Sequence, residues 1–229
     1  MQVTGGKVKS YLLFDINGFC LQYNNRVGSI TQQRIDGSFY NYRTNVGSSK
    51  SNGIEALVEL SFTKAFAKEI KTTDLSAFVS YSYTNAKYNN LKVVTKSGNN
   101  LVETNLKNKK IENAPENIVR TGVTYTYKGL TVTTQISYVG ASFSDANNTV
   151  TPTANGQTGL ITAYTVADFT ATYRWNKNYN IKADVNNMLD EKYFTRRAVD
   201  IPARGYCLLM VEVFLFLSAP AFNFQQYFT

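Results

Sequence analysis

Apolar and polar side chains alternate with a period of two through most of this chain, and that pattern limits its fold more than any other feature does. Leu75, Ala77, Val79, Tyr81 and Tyr83 alternate with Ser76, Ser80, Ser82 and Thr84, with Phe78 the one exception. Val119, Val123, Tyr125 and Tyr127 alternate with Arg120, Gly122, Thr124 and Thr126. Lys128 and Gly129 then turn the chain into Leu130, Val132, Thr134, Ile136 and Tyr138, a spacing that predicts a tight hairpin. Ala167, Phe169, Ala171, Tyr173 and Trp175 alternate with Val166, Asp168, Thr170, Thr172 and Arg174. Beyond a short polar turn at 176–178, Tyr179, Ile181, Ala183 and Val185 alternate with Asn180, Lys182, Asp184 and Asn186. Ile54, Ala56, Val58 and Leu60 alternate with Glu55 and Glu59, and Leu57 breaks the rule. Residues 11–24 are strand-like but apolar on both sides in places, so their faces stay unassigned. Helical periodicity is almost absent, and the expected class is all-β with antiparallel strands.

The connections sort by length. The turns at Lys128 and Gly129 and at 176–178 are short and the one at 62–74 is intermediate, whereas 86–116, 140–163 and 188–206 are long and rich in Asn, Thr and Gly. Strand direction reverses at each turn, so this order predicts all long loops at one end of the sheet and the short turns at the other. An outer-membrane barrel has that asymmetry, with strands of about 9–11 residues that face lipid on one side and a wet lumen on the other. Glu55, Arg120, Asp168, Arg174, Lys182 and Asp184 on the polar faces suit a water-filled lumen and would be costly against a sandwich core. Tyr81, Tyr83, Tyr125, Tyr127, Tyr138, Tyr173 and Trp175 sit near strand ends, where an interfacial girdle holds aromatics. Two alternatives stay open on the pattern alone: a small self-closed eight-stranded barrel acting as a pore or adhesin, and a soluble carbohydrate-binding β-sandwich.

Composition removes other functions. The 229 residues include no histidine, so His-based triads and imidazole-ligated metals are excluded. Cys20 and Cys207 are too far apart in sequence for a CxxC motif, and no cofactor or metal is expected. No nucleophile, base and orienting group recur at a useful spacing, and no enzymatic activity is expected. The net charge of +8 is scattered rather than gathered into a basic, aromatic-laced face, which argues against nucleic acid as a partner. The compact basic groups are Lys107 to Lys110 and Arg196 with Arg197, each read first as solvated loop charge. The opening MQVTGGKVKS is polar and no signal peptide is expected. No apolar run nears the ~20 residues of a spanning helix, so a membrane role falls to strands.

Val166 to Arg197 reads VADFTATYRWNKNYNIKADVNNMLDEKYFTRR, and this resembles the C-terminal barrel signature of TonB-dependent outer-membrane receptors. The specific part is a strand ending in Val185, Asn186 and Asn187, followed by Leu189, Asp190, Glu191, Lys192, Tyr193 and Phe194. Upstream, NAPENIVRTGVTYTYKGLTVTTQISYVGASFSDANNT and GQTGLITAYTVADF are similar to the iron-chelate members of ferric-citrate type. The resemblance implies about eight strands of a larger transmembrane β-barrel in the outer membrane. It further implies outer-membrane lipid and, in the parent receptor, a ferric chelate or siderophore as partners, with TonB engaged only through N-terminal segments that this stretch does not contain. Asn186, Asn187, Leu189, Asp190, Tyr193 and Phe194 are expected to be structural, closing a strand end and turn by hydrogen bonds. Arg196 and Arg197 are the ligand-contact candidates, because Arg pairs bidentately with carboxylates.

Plug, TonB box and signal peptide are missing relative to that pattern, and a transport-incompetent fragment is expected. The resemblance stops after Val199, which divides the chain into a barrel portion, 1–199, and a tail, 200–229. With a permitted choice of codons, Asp200 to Gly205 and Cys207 to Phe214 spell, in one constant shifted frame, Tyr-Pro-Gly-Pro-Gly and Leu-Pro-Ala-Asp-Gly-Arg-Ser-Phe, the segments typical of the family there. The tail is therefore expected to be out of frame, in place of the last loop and strand, with no selected role for Cys207 or Glu212.

Overall fold

The computed structural model describes residues 7–9, 11–33, 39–67, 72–97, 100–154, 156, 158–175, 179–197 and 208–215. The turn at 176–178, the boundary at Val199 and Asp200, and Cys207 lie outside them. The strands are β1 (Lys7–Lys9), β2 (Leu12–Gln33), β3 (Phe39–Ser61), β4 (Thr73–Ser97), β5 (Asn100–Asn105), β6 (Asn117–Tyr127), β7 (Leu130–Val139), β8 (Ser142–Phe143), β9 (Leu160–Ile161), β10 (Tyr164–Arg174), β11 (Tyr179–Asn186) and β12 (Leu208–Leu215). One antiparallel sheet runs in the order β1-β2-β3-β4-β6-β7-β10-β11-β12. β5 pairs with the far part of β4, and β8 and β9 form a separate ribbon. The sheet holds eight long strands and the three-residue β1, and no pairing among the described residues joins its two ends.

The alternation becomes a sorting of faces through the register. Across β2, β3, β4, β6, β7 and β10, Phe14, Val58, Val79, Thr121, Ile136 and Ala167 form one row, and Asp15, Leu57, Ser80, Arg120, Ser137 and Val166 form the next. Opposed residues of antiparallel strands share a face, so the first row belongs to the apolar face and the second to the polar one. Ile16, Ile54, Val58, Val79, Val123 and Ile136 are each exposed on the apolar face. Such an expanse of exposed hydrophobic surface in a folded sheet marks an apolar surrounding.

The break at Phe78 has a packing reason, and the same arrangement recurs at Phe19. Phe78 is the Cα partner of Gly122, and a Cβ on Gly122 would stand 2.6 Å from the Phe78 ring and 2.9 Å from the Thr134 carbonyl oxygen. Phe19 lies opposite Gly53 in the same way, with a Cβ there 2.7 Å from its ring. Each Phe covers a glycine on the polar face, which shields backbone that a glycine leaves bare. Leu57, the other break, faces the polar side between Asp15 and Ser80.

Short connections gather at one end, as expected. The Lys128 N–H donates to the Thr72 carbonyl (3.0 Å) and the Arg174 N–H to that of Gly129 (2.8 Å), so the turn at Lys128 and Gly129 lies beside the end of the 62–74 connection and the end of β10. The intermediate connection holds a single turn of helix, α1 (Phe62–Phe66), whose Ser61 cap accepts from the Lys64 N–H and donates to Asp74 (2.8 Å). At the other end the expectation of loops is corrected. β6, β7 and β10 keep to 10 or 11 residues, but β2, β3 and β4 run to 22, 23 and 25. Residues 86–116 are therefore largely strand, β4 continuing into β5, and 140–163 carries the β8–β9 ribbon. Beyond the span both faces meet water, and bulges near Tyr23 and Ser49 interrupt the period, so an Asn- and Ser-rich ladder reads as loop in sequence. A small core of Tyr88, Leu91 and Leu106, flanked by Val93, Ile111 and Ala146, holds this extension together.

β12 pairs with β11 over eight residues, setting Leu209, Val211, Val213 and Leu215 opposite Val185, Ala183, Ile181 and Tyr179.

Candidate functional site

The polar face carries the chemistry. Two adjoining rows, Asp15-Leu57-Ser80-Arg120 and Asn17-Glu55-Ser82-Ile118, enclose a concavity of about 330 Å³ lined by two carboxylates, one guanidinium, an amide and two hydroxyls. Glu55 and Arg120 were legible in the sequence as charges on polar faces. Asp15 and Asn17 were not, because they fall in the stretch with unassigned sides. Counting register back through β3 from Glu55 is the signal that places them.

Toward the short-turn end the same face becomes a ladder of hydroxyls. Thr124 and Thr133 hydrogen-bond across β6 and β7 at 3.1 Å, Thr126 and Thr131 at 3.3 Å, and Thr170 donates to Asp184 at 2.7 Å. Lys182 forms an ion pair with Asp184 (2.7 Å), and Asp184 is buried. A buried carboxylate persists when paired and hydrogen-bonded, and here both conditions hold. Among the described residues no group of three or more Asp, Glu or Cys is placed to hold a metal ion.

The motif after β11 is a closed turn. Asn187 adopts φ 54 and its N–H donates to Asp168 Oδ1 at 2.8 Å. Its side-chain amide donates to the Glu191 carbonyl (3.1 Å) and accepts from the Glu191 N–H (3.0 Å), while the Asp190 N–H donates to the Asn187 carbonyl (2.9 Å). Tyr193 stacks on Tyr164 with ring centroids 4.2 Å apart, which ties the turn to β10. Asn186 ends β11 and Leu189 is exposed. Arg197 directs Nε and Nη2 to the Leu160 carbonyl (3.2 and 3.0 Å) and lies over the Phe194 ring. Its guanidinium thus pins β9 to the turn, and only Arg196 of the two stands exposed.

The extension beyond the span has its own polar centre. Tyr88, buried, donates its hydroxyl to Glu112, which Arg26 reaches at 3.4 Å while its guanidinium sits over the Tyr88 ring. Burial first, then the bond to Glu112, holds the Tyr88 phenol well above the usual tyrosine range. Residues 144–149, SDANNT in the sequence, fold on themselves: Asp145 accepts from the N–H groups of Asn147 and Thr149 and from the Thr149 hydroxyl. Asn148 exchanges hydrogen bonds with the backbone of Lys110 at 2.7 and 2.8 Å, joining this loop to the β5–β6 connection.

Comparison with known proteins agrees with this architecture. The family model described as TonB dependent receptor-like, beta-barrel matches residues 5–188. No curated protein matches the sequence. Among solved structures, the ferric citrate transporter FecA in its unliganded form aligns with a TM-score of 0.68 at 19% identity, over 90% of this chain and 29% of that one. The siderophore receptor PiuA from Acinetobacter baumannii gives 0.63 at 20%, over 90% and 26%. The outer membrane transporter YddB from Escherichia coli gives 0.58 at 15%, over 92% and 30%. This chain spans less than a third of each of these proteins, and the likeness is one of fold. The family match over most of the chain, on a sheet with one face for lipid and one for a wet lumen, makes it a member of the TonB-dependent receptor β-barrel family.

Proposed function

We propose that this chain forms part of the barrel wall of an outer-membrane receptor that takes up a ferric chelate or siderophore, and that alone it does not transport. The observation that carries the reading is the polar face, whose mixed-charge concavity at Asp15, Glu55 and Arg120 opens beneath the structured extension of β2–β5. Support for the ligand class comes from the FecA and PiuA likenesses. Arg196 is the contact candidate at the rim, and Arg197 contributes by positioning β9. The concavity is shallow and open, so a chelate site is shared with parts of the receptor beyond these strands. Coupling to TonB runs through such parts as well. Titration calorimetry of the folded, vesicle-inserted chain with ferric citrate tests this: binding weaker than micromolar is expected, and micromolar or tighter binding overturns the shared-site reading. The portion 1–199 is read as barrel and 200–229 as an out-of-frame tail. The family match, 5–188, falls within the first portion, and the nucleotide sequence across Asp200 tests the division.

A further inference from the structure

The basic group at Lys107 to Lys110, read from sequence as solvated loop, belongs to a larger feature. Lys50 on β3 and Lys87 on β4 are direct Cα partners, and Lys87 is bridged in turn to Lys110. Three lysines thus stand in one row across neighbouring segments. Like charges directly opposite one another destabilise a sheet, so such a row calls for a compensating anion. Lys110 has Glu116 at 2.9 Å, but neither Lys50 nor Lys87 has an acidic partner among the described residues.

The face and height of the row identify that anion. No register shift separates Lys50 from Ile54 or Lys87 from Tyr83, and both stand an even number of residues along, so the lysines share the outward, lipid-facing side. The ten steps from Thr73 to Tyr83 cover about 33 Å at ~3.3 Å per residue, or roughly 25 Å along the membrane normal at a tilt of about 40°. That equals the apolar band of an outer-membrane barrel, with Tyr81 and Tyr83 at its upper rim. Lys87 lies four steps further, about 10 Å above that rim by the same geometry, at headgroup depth.

We propose that Lys50, Lys87 and Lys110 form an outward-facing site for the phosphorylated headgroup of a lipid in the surrounding leaflet. The inference uses the membrane placement of the sheet but not its chelate. The lysines bind phosphate as point charges.

The full chain in detergent micelles, titrated with diphosphoryl lipid A and with its dephosphorylated form, tests it, with retained lipid counted by native mass spectrometry. A lysine near an anionic lipid surface is worth about fivefold in affinity, so Lys50→Gln with Lys87→Gln is expected to weaken diphosphoryl lipid binding about 25-fold. Lys50→Arg with Lys87→Arg should retain it, as should Lys128→Gln at the opposite end. Equal binding of the dephosphorylated lipid, or a glutamine variant within twofold of the parent, overturns the site. Displacement by inorganic phosphate at concentrations equal to the lipid overturns the headgroup as its ligand. Quenching of Trp175, the only tryptophan, by brominated lipid reports insertion separately. An inserted chain without lipid selectivity refutes this site alone, whereas failure to insert refutes the barrel reading with it.

Discussion

Val79 and Ser80 are neighbours in β4 on opposite faces, and a lysine at each weighs those faces against one another. Val79 is 50% exposed and lies six of ten steps from Thr73 toward Tyr83, close to the middle of the apolar band. A lysine on the lipid face at that depth costs about 2–4 kcal/mol. Ser80 faces the polar side between Leu57 and Arg120, on the concavity that also holds Asp15 and Glu55. There a new lysine meets like charge from Arg120, worth up to about 1 kcal/mol, and two carboxylates that offset it. Val79→Lys should therefore exceed Ser80→Lys by about 2–3 kcal/mol, or roughly 30- to 150-fold in the unfolding equilibrium. Urea unfolding of the vesicle-inserted chain, followed by Trp175 fluorescence, measures both. A Ser80→Lys penalty equal to or larger than that of Val79→Lys would refute the assignment of faces.

Other outcomes follow from single contacts. Gly122→Ala should destabilise by about 1–3 kcal/mol through the Thr134 carbonyl and the Phe78 ring, and Phe78→Ala in the same chain should recover part of that loss; strict additivity in a double-mutant cycle would show that the pair does not interact. Because the Tyr88 phenol is held above its ordinary value in the folded chain, its contribution is complete below about pH 10 and drains away as pH rises beyond it. An alkaline titration at 295 nm should lose one late-ionising phenol in Tyr88→Phe, and a curve unchanged apart from amplitude would contradict the buried Tyr88–Glu112 bond. Asn187→Ala should lower the melting temperature more than Asn187→Gly, since both lose the Glu191 hydrogen bonds but only alanine is strained at φ 54; the reverse order would remove the backbone from the explanation.

The fold was legible wherever one face meets lipid and the other a lumen, because there the two surroundings enforce a period of two. That condition holds for 75–84, 119–138 and 167–185, and the structure places these as β4, β6–β7 and β10–β11. It fails past the apolar band, where β2, β3 and β4 continue through bulges with water on both sides and the small core around Tyr88 replaces lipid contact. It was also obscured at Phe19 and Phe78, where an aromatic on the polar face serves a glycine across the strand. The turn chemistry of Asn187 and Asp190 was readable, since those residue types close strand ends by local hydrogen bonds. The role of Arg197 was not, because its acceptor is a backbone carbonyl 37 positions away that no side-chain pattern announces.

β4 spans the membrane with alternate residues in lipid and in a lumen. A nitroxide scan from Leu75 to Tyr83 in vesicles tests it most directly, with Cys20 and Cys207 replaced by serine beforehand. Labels at 75, 77, 79, 81 and 83 should relax with lipid-dissolved oxygen while those at 76, 78, 80 and 82 relax with a water-soluble nickel chelate, in strict alternation. Uniform access of the nickel chelate to all nine positions, or the opposite phase, would contradict it.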